Sequence, residues 1–140
     1  MKTFVRVLFI LIFLNGACGF AQEIEWQKVF GGSQVDRPIF IEQTSDNGFI
    51  CGGYSSSGIS GNKTEGSWGA YDYWIIKLDS IGNIQWQNDI GGNKYDYISE
   101  VHQTTDGGYI CGGTSASNIS GDKTENIYGY YAYWIIKLDS

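Results

Sequence analysis

The sequence predicts an all-β protein built from two repeats, and three observations support this. The chain has 140 residues, which suits one small domain, and it contains 20 glycines but a single proline. Aromatic residues make up 16% and charged residues only 17%, a composition too apolar for a disordered tail and, with so much glycine, typical of turn-rich β structure. The sequence also matches itself, without a gap, after a shift of 60 residues.

The first element is a leader over residues 1–21. It starts with two basic residues, continues with a short apolar run at 7–14 and ends in small residues before Gln22. A bilayer span needs roughly 20 apolar residues, so we expect a cleaved signal peptide. Two alternatives stay open, a retained membrane helix and a lipoprotein cut before Cys18.

Two repeats fill the rest of the chain, residues 22–83 and residues 84–140. More than half of the pairs between 26–80 and 86–140 are identical, which chance does not supply. Because the match is so close, the same small sheet is predicted twice.

Each repeat predicts four short strands, the second and third joined by a tight turn whose Asn and Gly residues permit positive φ angles. The predicted strands of the first repeat are 24–30, 38–44, 49–54 and 73–79, and those of the second are 84–90, 98–104, 109–114 and 133–139. The fourth strand places Trp74, Ile76 and Leu78 on one face and the residues between them on the other, which predicts burial on at least one side.

Four strands in each 60-residue period are typical of a β-propeller blade, and a β-sandwich or a solenoid of hairpins is the alternative. The second repeat lacks a strand after residue 139, and the strand predicted at 24–30 is the extra one. Propellers often close their ring by such an exchange between termini. Two blades do not make a ring, so we expect further repeats or other copies to complete the fold.

The string GAYDYWIIKLDSIGNIQWQ at 69–87, with the glycine pair at 91–92 and the segment at 103–110, resembles a large group of secreted bacterial repeat proteins. Many members of that group end in a type IX secretion sorting domain. The resemblance implies propeller-like blades, export and no catalytic residues. The sorting domain and most of the expected repeats are absent, so we expect an N-terminal part of a longer protein.

The charge and the titratable residues argue against several functions. A formal net charge of −6 without a Lys/Arg cluster disfavours nucleic acid, and the single histidine disfavours a histidine metal site. Catalysis needs one site and not a copy in each repeat, so we interpret the repeated aspartates as turn and strand-end residues that accept backbone N–H bonds. These pairs are Asp36 and Asp96, Asp46 and Asp106, and Asp79 and Asp139.

The cysteines and the long loops give no stronger case for chemistry. Cys51 and Cys111 hold equivalent places in separate repeats, so we expect two buried, reduced thiols and no disulfide. The loop segments 61–65 and 121–125 could hold Ca²⁺, but each offers few carboxylates and includes a lysine, which favours a solvated turn. We therefore expect no cofactor and no metal.

Candidate binding residues lie where the two long loops differ in their aromatic side chains. Varied aromatics on a fixed frame suit a surface that binds a glycan or a protein, and the alternative is that the rings pack between adjacent blades. The candidates are Trp68, Tyr71, Tyr128, Tyr130 and Tyr131.

Together these observations predict a secreted, non-catalytic β-repeat module with a binding or structural role at the cell surface or outside the cell. The alternative is an accessory part of an exported carbohydrate-active enzyme whose catalytic residues lie outside this chain.

Overall fold

The computed structural model describes residues 22–140, and these residues form an all-β structure, as predicted. The predicted leader lies outside the described residues. The seven strands are β1 (Asp36–Gln43), β2 (Phe49–Ser55), β3 (Asp72–Leu78), β4 (Ile84–Ile90), β5 (Asp96–Gln103), β6 (Tyr109–Ser115) and β7 (Ala132–Leu138).

The strands form two antiparallel sheets, each connected in chain order. The first sheet has the order β1-β2-β3-β4 and the second has the order β5-β6-β7. Strand β4 opens the second sequence repeat but is hydrogen-bonded to β3 of the first sheet. Within residues 22–140 the two sheets do not close on themselves, and their arrangement is consistent with both a partial propeller and a sandwich.

The strand predicted at residues 24–30 is not formed, whereas the other seven match within two residues. A strand needs the edge of a neighbour, and this segment instead packs Phe30 against the outer face of the first sheet. Trp26 nevertheless meets Phe49 edge-on at 5.7 Å between ring centroids, and Trp86 in β4 meets Tyr109 in the same way at 5.4 Å. The two tryptophans therefore make equivalent ring contacts, although only Trp86 lies in a strand and packs against the main core.

The tight turns between paired strands follow from their residue types. Asn47 has a φ of 64° and Gly107 a φ of 86°, values that Asn and Gly tolerate best. The N–H of Thr44 donates to the carbonyl of Gly48 at 2.9 Å, which closes the turn between β1 and β2. The predicted hairpins are thereby confirmed.

Two glycines next to the bulges in β1 and β5 are required by close backbone approach. A Cβ atom on Gly53 would lie 2.1 Å from the carbonyl oxygen of Arg37, and one on Gly113 would lie 2.1 Å from that of Tyr97. No larger residue fits at either position without moving the neighbouring strand.

The main core lies between the sheets, and a smaller one lies on the outer face of the first sheet. The main core consists of Ile50, Tyr73, Ile75, Ile98, Val101, Tyr109 and Cys111, and the smaller one of Trp74, Ile76 and Leu78. Strand β3 is therefore buried on both faces, with the predicted alternation. Burying each of its large apolar side chains contributes roughly 1.5–3 kcal/mol.

Two of the buried lysine side chains, Lys63 and Lys77, are paired with carboxylates. The Lys77 ammonium lies 2.8 Å from a carboxylate oxygen of Asp46 and also donates to the carbonyl of Leu78. Lys63 forms a buried ion pair with Asp89. Each pairing supplies the partner that a buried charge requires, and the first ties the β1–β2 turn to β3.

Candidate functional site

Four tyrosines meet at the junction of the two sheets, and we call this cluster the tyrosine seam: Tyr54, Tyr71, Tyr95 and Tyr97. The rings of Tyr54 and Tyr97 meet edge-on at 4.8 Å, and those of Tyr95 and Tyr97 are stacked at 6.0 Å and 14° between planes. Tyr71 contacts the other three rings at 5.3–6.0 Å. Tyr95 is 42% exposed and the other three are partly buried, so the seam presents apolar ring surface to solvent.

The backbone fixes the seam because its tyrosines sit on paired segments. Tyr71 and Tyr95 form a parallel bridge, supported by a 2.7 Å hydrogen bond from the Asp96 N–H to the Tyr71 carbonyl. Tyr54 lies in β2 opposite Tyr73 of β3. The rings are therefore held in place by both sheets.

Three seam residues are not among the candidates that the sequence pattern predicts. Tyr54 corresponds to Thr114, Tyr95 to Val35 and Tyr97 to Arg37 in the repeat alignment. These are differences between the repeats, so the criterion applied to the long loops, if extended to the strands, would have identified all three. Sequence alone does not tell that they converge at one junction.

The five predicted candidates divide into two groups. Tyr71 belongs to the seam, and Trp68 packs its ring over Gly121 of the second repeat, where a Cβ atom would lie 2.8 Å from the ring. Tyr128, Tyr130 and Tyr131 are exposed, the first two above 90%. The candidates of the first repeat thus contact the second repeat, although Trp68 is still 59% exposed, whereas no such contact is seen within residues 22–140 for those of the second repeat.

Burial raises the pKa of the Tyr97 hydroxyl, and the neighbouring phenols add to the shift, that of Tyr131 first. Because the Tyr97 phenol stays protonated at neutral pH, it can donate a hydrogen bond to a ligand while its ring offers a stacking face.

All six repeated aspartates were predicted to accept backbone N–H bonds, and five of them do so in the structure. The Gly32 N–H donates to Asp36 at 2.7 Å and the Gly92 N–H to Asp96 at 2.8 Å. Asp46, Asp106 and Asp79 accept N–H bonds within their own turns. These carboxylates are engaged in holding the chain's turns.

The cysteines and the histidine are also held in environments that do not favour nucleophilic chemistry. Cys51 and Cys111 are free thiols, and burial raises the pKa of both, that of Cys111 to about 12. Since the thiolate is the reactive form, both are poor nucleophiles. His102 lies 2.8 Å from Glu42 and 3.4 Å from Glu100, and the first of these contacts raises its pKa most.

The lysines of the two long loops point inward. Lys63 donates to the carbonyl of Glu65 at 2.9 Å, and the Lys123 ammonium lies 4.7 Å above the ring of Trp134. Their ammonium groups place positive charge within the segments considered for Ca²⁺. Among residues 22–140, no three His, Cys, Asp or Glu side chains lie together in a way that could hold a metal ion.

The chain matches no protein-family model and no curated protein. Over residues 22–140, no helix is long and apolar enough to cross a bilayer.

Proposed function

We propose that this chain is an exported, non-catalytic module that binds glycans through the tyrosine seam. The observation that carries the proposal is the group of tyrosine rings packed together at the sheet junction, of which Tyr95 is exposed. Flat aromatic faces with polar tips suit the apolar faces and hydroxyl groups of sugar rings.

The remaining residues support a non-catalytic role. The repeated aspartates hold turns, the thiols are kept protonated, and His102 is paired with glutamates on the surface. The leader pattern of residues 1–21 supports export, and the resemblance to secreted bacterial repeat proteins supports a place at the cell surface or outside the cell.

Binding to an immobilised panel of plant and bacterial glycans tests the proposal. We expect Tyr95→Ala to weaken binding about tenfold, because one stacked ring contributes roughly 1 kcal/mol or more. The melting temperature should change little, since this side chain is 42% exposed.

Ile59→Ala is the matched control, because Ile59 is exposed and lies outside the seam. Tyr128→Ala distinguishes the seam from the loop surface of the second repeat. Binding lost with Tyr128→Ala but kept with Tyr95→Ala would move the site to that loop, and wild-type protein that captures no glycan would contradict the proposal.

A further inference from the structure

The outer face of the second sheet exposes residues whose counterparts in the first sheet are buried. Tyr133 is 90% exposed and Ile135 is 66% exposed, whereas Tyr73 and Ile75 are both 0% exposed. Tyr73 and Ile75 are covered because the second sheet packs on them. The outer face of the second sheet therefore has the chemistry of a sheet-to-sheet interface without a second layer.

The outer face of the first sheet has the complementary surface. A cavity of about 370 Å³ lies there between the sheet and the segment 24–30, and its sheet side is lined by Ile41, Cys51, Trp74 and Ile76 among others. The counterparts of these residues in the second sheet are Val101, Cys111, Trp134 and Ile136, which cover Tyr73 and Ile75 in the main core. Consistent with an unfilled position, Ile41 is 63% exposed while Val101 is 0% exposed.

The glycines of β2 and β6 show the same unfilled position. A Cβ atom on Gly52 would lie 3.0 Å from the Val101 side chain, which crosses from the second sheet. A Cβ atom on Gly112, the counterpart of Gly52, would have nothing within 4 Å. The space above Gly112 therefore matches a residue in the position of Ile41.

Each of the same two surfaces has beside it a segment that lacks strand pairing on at least one edge. Among the described residues, β7 is paired only with β6, and its other edge has no partner. Its counterpart β3 is paired on both edges, with β2 and with β4. Residues 24–30 are the counterpart of β4 and lie outside both sheets. The β3–β4 register pairs Ile75 with Asn88. In the repeat alignment the counterpart of Ile75 is Ile135 and that of Asn88 is Lys28, so the same register would place Lys28 opposite Ile135.

We propose that the chain assembles head to tail with further copies of itself. The outer face of the second sheet packs on the outer face of another copy's first sheet, and residues 24–30 of that copy pair with β7. The contact between two copies repeats the packing of the first sheet against the second sheet within one copy. We call that packing within one copy the template.

A second copy is the occupant that these observations favour. The sequence itself carries both halves of the interface, namely Tyr133 and Ile135 on one face, and Ile41 and Cys51 on the other. Such a contact joins two different surfaces, so it produces rings or open chains. Propellers of about four to eight blades correspond to rings of two to four copies.

Sedimentation velocity and native mass spectrometry of the purified chain test the assembly. We expect discrete multimers of two to four copies that dissociate on dilution. Tyr133→Glu should raise the dissociation constant by about 100-fold or more, because it places an unpaired charge in an apolar interface. Since Tyr133 is 90% exposed, the variant should keep the circular dichroism spectrum of the wild type.

Ile119→Glu is the control substitution. Its counterpart Ile59 remains 74% exposed beside the second sheet, so the template places position 119 outside the interface. Wild-type chain that stays monomeric at millimolar concentration would overturn the proposal, and so would a Tyr133→Glu variant that assembles like the wild type.

Cross-linking tests the register separately. Lys28→Cys and Ile135→Cys are made in different copies, mixed and oxidised, and we expect a disulfide between the two copies, because directly opposed residues of antiparallel strands lie 4.5–5.5 Å apart at Cα. Lys28→Cys mixed with Ile119→Cys is the control. Equal cross-linking of the two mixtures would contradict the proposed strand pairing.

Discussion

At the scale of single residues, Asp72 is unusual because it is a fully buried carboxylate at the start of β3. One of its oxygens accepts the N–H groups of Trp68 and Gly69, and the other has no hydrogen-bond partner. Burial raises the pKa of Asp72 to about 6, and the charge of Asp96 adds to the rise. The folded state therefore binds a proton that the unfolded chain releases at lower pH.

The sign of the resulting pH dependence follows directly. Between about pH 4 and pH 6 the folded chain holds the Asp72 proton and the unfolded chain does not, so the free energy of unfolding falls as pH rises. The loss is at most about 3 kcal/mol. We expect Asp72→Asn to flatten this slope in denaturant titrations from pH 4 to pH 7.

Asp139→Asn is the control, because Asp139 is exposed at the end of the second repeat. An unchanged slope in Asp72→Asn would show that this carboxylate does not titrate in that range.

Asp46 and Asp106 affect the pH dependence of stability in the opposite direction. Hydrogen bonds from Lys77 to Asp46 and from Thr104 to Asp106 lower the pKa of each carboxylate, so that their stabilisation is lost as pH falls below the usual range.

The sequence predicted single residues well where their role is local. The repeated aspartates were predicted because a short carboxylate side chain bonds N–H groups a few residues away. Tyr54, Tyr95 and Tyr97 were missed because their role depends on which segments meet across the sheets. That information is held in the packing and not in any one stretch of sequence.

At the scale of elements, the two tryptophan segments show what a strand requires. Residues 24–30 and β4 have similar sequences and similar tryptophan contacts, yet only β4 has a neighbouring strand edge to bond. Alternating patterns predicted the other strands within two residues because each has a partner in its own sheet. The sequence pattern alone did not reveal that residues 24–30 lack a neighbouring strand.

A pair of substitutions measures that difference. Trp86→Ala should lower the free energy of unfolding by about 3 kcal/mol, because the ring joins β4 to the main core. Trp26→Ala removes the equivalent ring contact from a segment without strand pairing, and we expect a loss about half as large. Chemical denaturation at one fixed protein concentration compares the two, and equal losses would show that strand pairing adds nothing.

At the scale of the whole molecule, the two sheets share one main core. Ile50, Tyr73 and Ile75 come from the first sheet, and Ile98 and Val101 come from the second. Since the core-facing side of each sheet is covered only by the other sheet, the two sheets should unfold together. The repeat predicted two copies of a sheet, and the structure shows that each depends on its neighbour for burial.

Ile98→Ala tests this dependence. Ile98 is buried against the first sheet, so its truncation should lower the free energy of unfolding by about 3 kcal/mol and keep a single transition. Ile81→Ala, at an exposed turn, should change it by no more than about 0.5 kcal/mol. Two separate transitions in calorimetry would contradict a shared core.

The inward lysines of the long loops have a consequence for proteolysis. Lys63 and Lys123 are the only basic residues within 56–71 and 116–131, and both are buried. Trypsin cuts after lysine and arginine, so these glycine-rich and serine-rich loops offer it no accessible bond while the chain is folded. Digestion at either loop therefore requires an opening that releases the lysine, and the rate of that cut measures how often such an opening occurs.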